Sequence, residues 1–151
     1  MKKLLFLSLL GAVSPVLAVS HTIVKTVNPP ILMVFSTGTG SSLSQFSLLS
    51  TDFPSGTLNA TKKLSSVNWR TSSYPTTTGE RAELCYSQPY SSTEALCIPV
   101  ALNSAGSTDV FNSYRFDNGV RVVIRHVVTN GTPSYYHSPA GQEQVSFTYS
   151  Y

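Results

Sequence analysis

The chain is 151 residues long, with ten Lys and Arg against seven Asp and Glu, and 41% of its residues are apolar. A nucleic-acid-binding protein would need Lys and Arg clustered on one face and a strong positive balance, and neither is present. Charged residues are scarce while Ser, Thr, Tyr, Val and Phe are abundant, a mix that favours strands and polar loops over helices.

Met1-Lys2-Lys3, an apolar run from Leu4 to Val13 and the small-residue close Val16-Leu17-Ala18 have the three segments of a secretory signal peptide, with cleavage expected after Ala18. No stretch approaches the roughly eighteen consecutive apolar residues of a membrane-spanning helix. Removing the leader takes Lys2 and Lys3 with it and leaves eight basic residues against seven acidic ones. The remaining Val19 to Tyr151 is the length of one ordinary domain with a core of its own.

Val19 to Val27 alternates weakly, with Ile23 and Val27 on one side, until Asn28-Pro29-Pro30 breaks any ladder; it reads as a strand set apart from the rest. Ile31 to Phe35 is continuously apolar and suits a strand covered on both faces, followed by a Gly-rich loop from Ser36 to Ser42. Ser44 to Leu49 is ambiguous, Thr51 to Thr61 reads as turn and loop, and Lys63 to Arg70 as a strand whose Trp69 packs against the sheet. After the Thr-rich connection Ser72 to Gly79, Glu80 to Tyr86 and Ala95 to Val100 form two strands, and Asn103 to Asp109 is another loop.

Phe111 to Phe116 and Val120 to Val128 flank Asp117-Asn118-Gly119, whose Asn-Gly pair predicts a hairpin. Both faces of Val120 to Val128 are partly apolar, as in a central strand. Asn130-Gly131 turns the chain again, Ser134 to His137 leads on, and Ser138-Pro139-Ala140-Gly141 turns into the last stretch. There Val145, Phe147, Tyr149 and Tyr151 face one way and Gln144, Ser146, Thr148 and Ser150 the other, the pattern of a strand with one side buried.

Cys85 and Cys97 are the only cysteines, and in an exported chain an isolated pair is read as a disulfide, here pinning two neighbouring strands. A tetrahedral metal site is a poor competitor, because two cysteines without nearby histidines do not complete a ligand shell. For catalysis, the combination open to acid–base chemistry is His126 and His137 with Glu80, Glu83 or Glu143. No motif fixes their geometry, so the reading is of a non-enzymatic protein needing no cofactor.

The leader, the N-terminal strand fenced off by Asn28-Pro29-Pro30, the all-β body and the alternating terminal strand after Pro139-Ala140-Gly141 together resemble the subunits of chaperone–usher pili (fimbriae). The resemblance implies an immunoglobulin-like β-sandwich, incomplete alone and completed by a donated strand. Residues 1–18 would be the signal peptide, 19–28 the donor extension carrying Ile23 and Val27, and 29–151 the pilin domain. Val145, Phe147, Tyr149 and Tyr151 would line the receiving groove and pair with the periplasmic chaperone. Neighbouring subunits and an outer-membrane usher are the other implied partners, with a cell-surface pilus, or secretion, as the destination. A sheet lacking one strand exposes an apolar groove and an unpaired edge, and strand addition satisfies both.

A small adhesin at a pilus tip would also meet a host receptor or glycan. The candidate contacts are the tyrosines of Ser/Pro-rich loops, Tyr74, Tyr90, Tyr135 and Tyr136, with Arg121 and Arg125 two strides apart on one strand face as possible partners of an acidic ligand. The competing expectation is a self-contained secreted β-barrel glycan-binding module, such as the binding subunit of a toxin. It makes the opposite demand on the N-terminus, which is then integral to its own fold or a simple tail.

Overall fold

The computed structural model describes residues 19–133 and 135–151; the expected signal peptide, residues 1–18, and Ser134 lie outside the described residues. Among the described residues there is no α-helix, and all strand pairs are antiparallel. The strands are β1 (Ser20–Val27), β2 (Leu32–Val34), β3 (Gly40–Ser47), β4 (Lys63–Arg70), β5 (Glu80–Ser87), β6 (Leu96–Val100), β7 (Ala105–Thr108), β8 (Arg121–Val128), β9 (Tyr135–His137) and β10 (Glu143–Ser150). They form a β-sandwich, with one sheet ordered β1-β10-β4-β7 and the other β6-β5-β8-β3-β2-β9.

The terminal alternation sets the core. Val145, Phe147 and Tyr149 point between the sheets and meet Phe46, Leu84, Tyr86, Val122 and Ile124 from the facing sheet. Gln144, Ser146, Thr148 and Ser150 stay on the wetter side. Phe116 closes one end, its ring 5.2 Å from that of Tyr149 and 6.0 Å from that of Phe53. Burying such side chains stabilises the fold by about 1.5–3 kcal/mol each.

β10 is an interior strand, flanked by β4 on one side and β1 on the other. β1 pairs with it along its whole length, from Ser20 opposite Ser150 to Val27 opposite Glu143. The segment that the pilus resemblance assigns to a neighbouring subunit is therefore seated in its own chain. Its inward set is His21, Ile23, Lys25 and Val27. Ile23 enters the core, His21 stacks on Tyr151 with ring centres 4.7 Å apart, and Lys25 reaches Asp52 at 2.7 Å. Tyr151 itself is half exposed beyond the last paired residue.

Four expectations about elements change. Ile31 to Phe35 is not covered on both faces: Leu32 and Val34 are fully buried, but Ile31, Met33 and Phe35 are exposed, because β2 lies next to the sheet edge and none of the described residues covers its outer side. The glycine-rich stretch already belongs to β3 from Gly40, where a side chain would collide with the Met33 carbonyl (2.4 Å), so glycine permits the close crossing. Ala105–Thr108 is a strand rather than loop, with Gly106 giving way to the Trp69 indole.

The Asn118-Gly119 hairpin does not form. Residues from Phe111 to Tyr114 fold into a turn, with Tyr114 N–H donating to the Phe111 carbonyl, and β8 pairs with β3 and β5 instead. Burial of Phe111 and Phe116 over the end of the core outweighs the local hairpin preference. β8 is a central strand, as its two part-apolar faces suggest.

Candidate functional site

Two places bring chemistry-bearing side chains together: a buried ionic cluster between the sheets and an aromatic edge around β9.

The cluster is built on inward positions of three strands. His126 of β8 lies between Glu80 of β5 and Glu143 of β10, with Nδ1 2.6 Å from Glu80 Oε1 and Nε2 2.6 Å from Glu143 Oε1. Each carboxylate also accepts a backbone N–H, Ser72 to Glu143 at 3.0 Å and Tyr74 to Glu80 at 2.9 Å. Burial alone would push the imidazole towards its neutral form. The two carboxylates outweigh it and raise His126 to about 9, so the ring is a buried cation at neutral pH.

Of the combinations open to acid–base chemistry, the structure assembles His126 with Glu80 and Glu143 and leaves His137 and Glu83 elsewhere. His126 and Glu143 are fully buried and both ring nitrogens are occupied, so the arrangement holds charge and offers no substrate an approach.

Tyr74 belongs to this cluster, which corrects its assignment as an exposed contact residue. It is 0% exposed, with its ring edge-on to His126 at 5.3 Å. Its hydroxyl donates to the Pro30 carbonyl (2.6 Å), and the Ser42 hydroxyl lies 2.7 Å from it. The Ser/Pro-rich surroundings suggested a surface loop; the missing information was that Pro30, far away in sequence, would need a donor. The cluster thereby fastens the β1–β2 connection at Pro30 and the foot of β1, where Val27 pairs with Glu143.

Arg121 and Arg125 do lie on one outward face of β8, and both are engaged within the chain. Arg125 is paired with Glu94 and with Glu83 (3.5 Å), and its hydrogen bond holds the Glu94 carboxyl below the usual range. Arg121 reaches the Ser87 hydroxyl at 3.4 Å and the Ser92 carbonyl at 3.3 Å. Arg125 is thus neutralised within the chain, whereas Arg121 is held only by neutral acceptors and keeps its charge.

The disulfide is present: Cys85 and Cys97 are directly opposed on β5 and β6 and bonded to each other. Glu83 stands beside them, but both sulfurs are spent in the bond, so the group offers a metal only one carboxylate.

Tyr90 is 77% exposed, in the left-handed region at φ 58°, and lies over Gly119 with its hydroxyl bonded to the Asn118 side chain. Tyr135 and Tyr136 are 62% and 70% exposed on β9. β9 is an edge strand of three residues between Pro133 and Pro139, paired through Met33 opposite Tyr136 and Leu32 opposite His137. Tyr136 continues an outward apolar strip with Ile31, Met33 and Phe35 beside it and Leu43 on β3. A cavity of about 300 Å3 opens here, lined by Thr76, Thr132, Tyr135, Tyr136 and His137. A wider groove of about 550 Å3, between Arg70, Ser72, Asn103 and Gly141, is lined mainly by small side chains and lacks aromatic rings.

No family model matches the chain, and no curated protein matches it. Among solved structures, "Crystal Structure of FLHE" is similar at 17% sequence identity with a TM-score of 0.58, over 87% of this chain and 98% of that one. At that identity the likeness is one of fold.

Proposed function

We propose that the protein is an exported, non-catalytic recognition module: a β-sandwich completed by its own first strand, presenting the β2–β9 edge to a ligand. The observation that carries this reading is the register of β1, paired in cis with β10 over all eight residues and anchored by Ile23, by Lys25 on Asp52 and by His21 on Tyr151. The cross-strand disulfide suits an oxidising compartment, which supports export. Unlike an unfilled groove, such a module is soluble without a chaperone to cover β10.

The test is thermal unfolding of two chains, one from Val19 and one from Pro29, each with and without excess Val19–Asn28 peptide. A self-complemented module is stable from Val19 and indifferent to the peptide. The chain from Pro29 exposes β10, is strongly destabilised, and regains stability as peptide is added.

A second reading, a subunit or small adhesin of a chaperone–usher pilus, is favoured by one feature. Ile23 is the only side chain of β1 that is buried, and Pro29-Pro30 follows directly, so β1 is the strand most readily given to a neighbour. On this reading cis pairing describes the subunit before assembly, and periplasmic chaperone, usher and neighbouring subunits would compete with β1 for β10.

A further inference from the structure

We propose that the cavity at β9 is a binding site for a neutral saccharide, with a sugar ring packed on the exposed Tyr135 and one of its hydroxyls held by His137. The proposal deepens the recognition-module reading and rests on it for a folded chain with this edge uncovered.

His137 carries the argument. It is only 2% exposed, and it lines the cavity that Tyr135 and Tyr136 flank. Its Nδ1 is satisfied by the Thr76 hydroxyl at 2.8 Å, while its Nε2, also buried, has no hydrogen-bond partner among the described residues. A buried ring nitrogen left without a partner costs free energy unless something else satisfies it.

The nature of the partner follows from the tautomers. If the Thr76 hydroxyl donates to Nδ1, then Nε2 bears the hydrogen and seeks an acceptor; if Nδ1 donates to Thr76, Nε2 seeks a donor. A hydroxyl is both donor and acceptor and serves either case.

The remaining lining is equally selective. Thr76 and Thr132 add two further hydroxyls, and no Lys, Arg, Asp or Glu lines the cavity among the described residues, so nothing there pairs with a charged ligand. Tyr135, on the same face of β9 as His137 and with its ring centre 6.4 Å from that of His137, supplies flat apolar surface at the rim, on a short strand framed by prolines, whereas Tyr136 faces outward with Met33. Apolar faces combined with several neutral hydroxyls describe a pyranose, whose ring carbons present an apolar face and whose edge is lined with hydroxyls. Tyr90, although more exposed, lacks any such buried polar partner and is tied to Asn118.

The experiment is a titration of the disulfide-intact chain from Val19 with the methyl glycosides of glucose, galactose, mannose and N-acetylglucosamine. Amide and imidazole NMR shifts report on the free sugars, and an immobilised glycan array reports on longer chains. The expected result is saturable binding to at least one sugar or glycan, with shifts centred on Thr76, Tyr135 and His137. Tyr135→Ala should weaken that binding about tenfold with an unchanged Tm, and His137→Gln should weaken it too, while Tyr136→Ala on the opposite face should leave it unchanged. If His137→Gln does not fold, the surface variant Tyr135→Ala decides alone. No saturable binding in either format, binding indifferent to Tyr135→Ala, or shifts centred on the Arg70–Asn103 groove would overturn the assignment. A chain that stays stable from Val19 yet binds no sugar sinks this site while leaving the self-complemented fold intact.

Discussion

The two sheets end in edges of opposite character. β1, at the edge of one sheet, is eight residues long, mostly polar on its outer side and tied to β10 throughout. β9, at the edge of the other, is three residues long, framed by prolines, and displays tyrosines. The first edge closes the core; the second is too short to template another strand and leaves its side chains for recognition. The ionic cluster joins them, since Glu143 stands opposite Val27 and Tyr74 holds the Pro30 carbonyl between β1 and β2. Perturbing the β1 side should therefore cost stability, whereas perturbing the β9 side should cost binding alone.

The largest expected effect is at the foot of β1. Glu143→Ala leaves the His126 cation short of one partner and the Ser72 N–H without its acceptor, and should destabilise the fold by about 3–5 kcal/mol in urea unfolding. A combined His126→Leu, Glu80→Met, Glu143→Leu chain should regain part of that loss, because breaking a buried ion pair is worse than replacing it by apolar groups.

The same cluster gives the fold a pH dependence. Folding raises His126 from the ordinary 6.5 to about 9. Its contribution is thus fully present below about pH 6.5, declines as pH rises, and is lost above about pH 9. Up to about 3 kcal/mol should disappear over that window, measured as the fall in urea midpoint between pH 6 and pH 10. His126→Leu should flatten the profile.

Next comes Ile23→Ala, which empties the only buried position of β1 and should cost about 2–3 kcal/mol. Tyr136→Ala should move stability by no more than about 0.5 kcal/mol. A large loss at Tyr136 would dissolve the contrast between the two edges.

The strands that were legible in the sequence are those whose pattern is local. The alternation from Val145 to Tyr149, the run Lys63 to Arg70 and the two-faced Val122 to Val128 each carry their own period, and Cys85 with Cys97 announced their pairing. What was not legible depends on distant partners. Lys25 and His21 look like interruptions of β1 until Asp52 and Tyr151 arrive beside them. Ile31 to Phe35 reads as covered because five apolar residues in a row do not say which side lacks a neighbour. Asn118-Gly119 is a sound turn, but Phe111 and Phe116 are drawn over the core and leave it no first strand.

For the candidate sites, Tyr90, Tyr135 and Tyr136, which the sequence offers as contact residues, are exposed, and Glu80, His126 and Glu143 are named there without their geometry. Tyr74 was misread because its partners, the Pro30 carbonyl, Ser42 and His126, are remote in the chain. The one signal available for the cluster was parity: His126 and Glu143 share the faces of Ile124 and Val145, which places both charges in the core and requires them to meet.

The most direct measurement is the uptake of a fluorescent Val19–Asn28 peptide by the intact chain from Val19, followed by size-exclusion chromatography. The account predicts that the chain remains monomeric and excludes the peptide, because β10 is already paired along its length. Stoichiometric incorporation of the peptide, or growth of oligomers that it inhibits, would contradict self-complementation and establish β1 as a strand for exchange.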